Sequence, residues 1–147
     1  MFTKMTLLAG LTATWYMTGL IVFVHRVHYP LFGNVQVEGF RNYHAEHVRR
    51  TTPTVFLPMV VELVTSGFLV YRRPEGTAAW LAWAGLGAAG VCWLATAGLS
   101  VPLHNRLSLG FNAHAHRSLV RTNTVRLVAW AAHAVILLVM TARAMAN

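Results

Sequence analysis

Apolar positions fall into four long runs separated by short polar connectors. Residues 7–24 carry no charge, and that run extends to about Tyr29. Residues 55–71 are apolar apart from Glu62, while residues 76–103 and 127–142 are uncharged throughout. A bilayer-spanning helix takes about 20 apolar residues. The pattern therefore predicts an all-α fold, an integral membrane four-helix bundle forming one unit over residues 1–147, with helices at about 6–29, 53–71, 77–103 and 116–143.

Local signals set the expected boundaries. Pro30 is expected to end the first helix, and Pro102 lies near the end of the third. Thr51-Thr52-Pro53 reads as an N-cap with proline at the first helical position, opening the second helix, and Pro58 is expected to kink it. Arg72-Arg73-Pro74-Glu75-Gly76 is a polar turn. Between the first two helices Phe40, Tyr43, His44 and His47 recur at helical spacing, opposite Glu38, Arg41 and Arg49. That predicts a short amphipathic helix at the interface, or an upstream extension of the second helix. Lys4 and the first run have the outline of a signal peptide. His25-Arg26-Val27-His28 follows where a small-residue cleavage site would stand, so the segment reads as a retained helix.

Composition narrows the class. Apolar residues make up 56% of the chain and charged residues 11%, against about a quarter charged in soluble domains. This excludes an ordinary soluble globule, a disordered chain and a coiled coil. Lys and Arg number 12 against 4 acids, a net charge of +8. The cations sit in the connectors, where they set topology or meet anionic lipid head groups, so nucleic acid is not expected as a partner. Arg26, Arg41, Arg49, Arg50, Arg106, Arg117, Arg121 and Arg126 belong to the end formed by loops 1 and 3, against Lys4, Arg72, Arg73 and Arg143 at the other. The positive-inside rule then places loops 1 and 3 in the cytoplasm, with a bacterial inner membrane as the expected location. The single cysteine, Cys92, excludes an internal disulfide.

The chain carries 8 histidines. His25, His28, His44, His47, His104, His114 and His116 share the loop 1 and loop 3 end, and only His133 lies well inside an apolar run. His25/His28 and His44/His47 have i,i+3 spacing, which puts each pair on one helix face. With His104 they form a candidate metal set for copper or zinc. A metal-free polar pocket and ordinary interfacial histidines remain open alternatives. A di-iron centre is disfavoured by the scarcity of carboxylates.

Glu62 lies deep in the second run, where an ionisable group is costly and faces a partner inside the bundle. Asn123, Arg126, Trp130 and His133 share one face of the fourth helix, so Glu62, Arg126 and His133 are the expected buried polar set, with Glu62–Arg126 as an interhelical pair. Ala84, Ala88, Cys92, Thr96 and Ser100 recur every fourth residue, a stripe of small residues suited to close helix packing.

Four short segments resemble the anthrone-oxygenase-like family of small four-helix membrane proteins. They are Val27-His28-Tyr29-Pro30-Leu31-Phe32, Tyr43 with Arg49/Arg50, Val101-Pro102-Leu103-His104-Asn105-Arg106-Leu107, and Leu119-Val120-Arg121-Thr122-Asn123-Thr124-Val125-Arg126. The family pattern has Asn at His104. The resemblance implies oxygenation of an activated C–H of a hydrophobic aromatic molecule, with no obligatory cofactor. It implies His28 or His104 as base, Arg126 as oxyanion stabiliser with Asn123 or Asn105 beside it, and Tyr43 as hydrogen-bond donor. Trp15-Tyr16-Met17-Thr18-Gly19-Leu20 with His25 resembles four-helix haem proteins of protoporphyrinogen oxidation, which makes haem an alternative. The competing class is a non-catalytic accessory subunit of a larger membrane complex, binding haem, pigment, metal or lipid through its histidines. A homo-oligomer is compatible with either.

Overall fold

A computed structural model describes residues 1–146. Its four helices, each long and apolar enough to cross a membrane, are α1 (Phe2–Asn34), α2 (Val37–Tyr71), α3 (Ala79–Leu107) and α4 (Ala113–Met145). Short connectors force successive helices to run antiparallel. α1 and α3 each pack on α2 and α4, so the four close into a ring. The α1–α2 and α3–α4 connectors share one end, the histidine end. The α2–α3 turn lies at the opposite end, where Gly76 takes a positive φ of 76°.

The core is layered along the bundle. Leu7, Leu69, Leu81, Leu137 and Met140 pack at the end opposite the histidines. Met17, Ile21, Met59, Cys92 and Trp130 fill the middle. Val24, Tyr29, Phe32, Phe40, Leu107 and Leu119 close the histidine end. Large apolar side chains also cover the outside, among them Trp15, Phe56, Trp83, Leu94 and Val128. Helices apolar on all sides are what a lipid solvent requires.

Two expectations at the helix ends are corrected: Pro53 does not open the second helix, and Pro30 does not end the first. Of the two readings of residues 37–50, the upstream extension is formed and the separate amphipathic helix is not: α2 runs unbroken from Val37 to Tyr71, with Pro53 and Pro58 inside it. Thr52 donates to the Val48 carbonyl and Thr54 to the Arg50 carbonyl, both at 2.7–2.8 Å, on either side of the gap that Pro53 makes. Phe40 and His44 are buried at that end, which anchors the extension. Pro30 does not end α1, which runs on to Asn34; Pro102 lies near the end of α3, as expected. Each is preceded by a π turn, Val24–His28 before Pro30 and Thr96–Ser100 before Pro102. Proline lacks an N–H and clashes with the carbonyl four residues earlier. A π turn widens the helix at that point, so the chain passes the proline and stays helical.

Candidate functional site

The two π turns face the histidine end and set the side chains just beyond them. Tyr29 follows the first and is held by His116, whose Nε2 donates to the Tyr29 carbonyl at 2.8 Å. Ser100 closes the second, and His104 lies one turn further along α3. α2 contributes His44 and His47 from its extension. Phe32 stands among these rings, meeting His28, His44, His47 and His104 edge-on at centroid distances of 5.0–6.4 Å.

Polar contacts link the rings into two groups. His28 Nε2 and His47 Nδ1 lie 2.7 Å apart, and Thr51 Oγ1 is 3.1 Å from the same His47 nitrogen. One of two facing ring nitrogens must carry a lone pair, so one proton serves that bond. The second group is a chain that starts at Arg126, which can only donate; beyond Tyr29 it is assigned the direction that gives the phenol proton an acceptor. Arg126 Nη1 donates to Tyr29 Oη at 3.4 Å and to Asn123 Oδ1 at 3.1 Å. The Tyr29 hydroxyl in turn donates to His104 Nε2 at 2.9 Å. His104 then carries its proton on Nδ1 and donates to His44 Nε2 at 3.0 Å. That assignment leaves the His44 proton on Nδ1, a buried atom with no partner.

Beside this cluster α2 diverges from residues 96–107 of α3. The gap is a cleft of about 650 Å³. Val24, Val55, Met59 and Trp93 give it apolar walls, and Tyr29, His44, His47, Ser100, His104 and Arg126 make its polar end. Phe56 and Val101 line it and are also exposed on the outer surface, so it opens sideways between two helices. An apolar pocket with a few convergent polar groups is the usual form of a small-molecule site.

A separate polar layer lies deeper in the bundle. Glu62 is fully buried and accepts from Trp130 Nε1 with both oxygens, at 3.0 and 3.1 Å. His133 Nδ1 is 3.9 Å from Glu62 Oε1 and 3.5 Å from Thr14 Oγ1, and its Nε2 is 3.3 Å from Ser66 Oγ. The expected Glu62–Arg126 pair is not formed. Trp130 takes the carboxylate, and Arg126 lies over the Trp130 ring, 5.3 Å from its centroid. Trp130 thus gives Glu62 a partner across helices, while Arg126 stacks on the same ring from its own helix, with no carboxylate of the described residues in contact.

Of the expected site residues, the structure brings together His28, His44, His47, His104 and Arg126. His25 stands apart: among the described residues no bond or ring contact joins it to the cluster, because the π turn alters the helical spacing to His28. Tyr43 is exposed, its ring against Phe32 at 5.7 Å, and it does not line the cleft. The phenol that reaches the histidines is Tyr29. Among the described residues no group of three His, Cys, Asp or Glu is arranged to hold a metal ion; the ring nitrogens face one another in pairs instead. Sequence reasoning passed over Tyr29 and Ser100 as site residues. The available signal was the proline two positions beyond each π turn.

No family model, curated protein or solved structure matches this chain.

Proposed function

We propose that this protein is a membrane-embedded acid–base enzyme that takes a flat hydrophobic molecule with an enolisable carbonyl from the bilayer and oxygenates the carbon beside it. The observation that carries this reading is the His28–His47 pair and the Arg126–Tyr29–His104–His44 chain meeting at the polar end of a sideways-opening apolar cleft. The resemblance to the anthrone-oxygenase-like family supplies the substrate class and the O₂ step. In this mechanism His47 Nε2 takes the proton from carbon, with His28 holding the proton on Nδ1. Histidine suits that task, because its ordinary pKa lies near neutral pH. Arg126 stabilises the enolate oxygen. The carbanion adds O₂ to give a hydroperoxide, which loses water to leave a new carbonyl. A methylene and one O₂ thus become a carbonyl and one water, with no cofactor consumed. The arginine-rich end faces the cytoplasm in this reading.

The test is O₂ consumption and quinone absorbance with the purified protein and a hydroxylated anthrone. His28→Ala, His47→Ala and His104→Ala are each expected to lower kcat by about 10²–10⁴-fold. Full activity in all three variants would end the acid–base assignment.

A further inference from the structure

The buried polar atoms left without a partner at the cleft share one property. Arg126 Nε, Asn123 Nδ2, His44 Nδ1 and Ser100 Oγ are all buried and unbonded. Arg126, His44 and Ser100 line the cleft, and Asn123 is bonded to Arg126. Arg126 Nε is a donor in every state, and Asn123 Nδ2 is a donor because its amide oxygen is taken by Arg126. His44 Nδ1 carries a proton by the direction of the chain that begins at Arg126. The Ser100 hydroxyl can donate as well. Four groups thus wait for an acceptor.

Charge leads to the same conclusion. Arg126 is 4% exposed, and among the described residues it has no carboxylate partner. The buried Glu62 meets Trp130 and His133, not Arg126. A buried cation without a counter-charge is strongly unfavourable. A water would accept two of the four bonds, but only the Ser100 oxygen among these groups could take one of its protons, and a water brings no charge to match Arg126. An anionic oxygen has lone pairs, carries no proton and brings the missing charge.

We infer that the polar end of the cleft is an oxyanion-binding site for a lipophilic acid, an apolar body bearing a carboxylate held by Arg126, His44 and Ser100. The apolar walls beyond it, Val55, Met59 and Trp93, take the body of the molecule. This names the ligand class of the site proposed above. It rests on that reading only in treating the cleft as a binding site, and it is independent of the oxygenation step.

The test is anaerobic binding in an uncharged detergent, followed by quenching of tryptophan fluorescence, since Trp93 lines the cleft. Anthraquinone-2-carboxylate is compared with unsubstituted anthraquinone, each corrected for partition into empty micelles. The carboxylate is expected to bind at least about tenfold more tightly, the scale of one charge-assisted hydrogen bond. Arg126→Gln is expected to abolish that preference. Ser100→Ala, a smaller change that keeps the fold testable, is expected to reduce the preference severalfold. Equal affinity of the two rings, or a preference that survives both substitutions, overturns the oxyanion site and leaves the oxygenase reading standing. Binding of neither ring overturns both.

Discussion

Glu62 shows how much of a single residue's role can be read in advance. Its depth in an apolar run announced a buried partner, because an isolated carboxylate in lipid is costly. The partner's identity was legible in part: His133 does lie beside the carboxylate, Arg126 does not, and the indole was not foreseen. Arg126, Trp130 and His133 share a face of α4, and only the rotation of that helix decides which one meets the carboxylate. The indole N–H does, with His133 close by. Glu62→Gln preserves an acceptor for Trp130 and is expected to cost less than 1 kcal/mol or so. Glu62→Leu strands the indole N–H and is expected to cost about 1–3 kcal/mol in thermal unfolding of the detergent-solubilised protein. If the leucine variant proves as stable as the glutamine variant, the indole–carboxylate bond has no structural weight. The histidines divide the same way. Their gathering at one end was legible from connector positions alone. The loss of His25 from the group was not, because i,i+3 spacing presumes a regular helix and a π turn intervenes.

At the scale of elements, the four spans were legible from run length, since nothing but helix or closed barrel can satisfy the backbone in lipid. Their ends were not. Pro30 and Pro53 were read as boundaries because prolines usually are, yet both lie within helical spans, as Pro58 and Pro102 do. Tertiary burial of Phe40 and His44, and a π turn ahead of Pro30 and of Pro102, override the local preference. Close packing of α1 on α2 depends on a residue with no side chain. A Cβ on Gly10 would lie 2.7 Å from Thr65 Oγ1 and 3.3 Å from Thr65 Cβ. The Thr65 hydroxyl is itself engaged, donating to the Val61 carbonyl at 2.6 Å. Gly10→Ala is therefore expected to destabilise the bundle by about 1–3 kcal/mol, the usual cost of overpacking. Pairing it with Thr65→Ala, which removes the clashing hydroxyl but keeps the Cβ, is expected to recover only part of that loss. Full tolerance of the single alanine in a denaturation series would show that α1 and α2 can separate freely there.

For the molecule as a whole, a ring of four antiparallel helices with a filled centre could be anticipated from four apolar runs and short connectors. The cleft could not, because it arises where α2 and the last turns of α3 part company, and no residue pattern records a divergence between helices. Its opening has a kinetic consequence. If the cleft is the site proposed above, a mouth between two helices, rimmed by Phe56 and Val101, is expected to fill from the lipid phase, with occupancy following the mole fraction of ligand in the membrane. Adding inert lipid or detergent at constant total ligand should lower the initial rate in proportion to the dilution of that phase. Adding water at a constant ligand-to-lipid ratio should leave the rate per protein unchanged. A rate that tracks bulk volume instead would mean that ligand arrives through the connectors and not through the gap between α2 and α3.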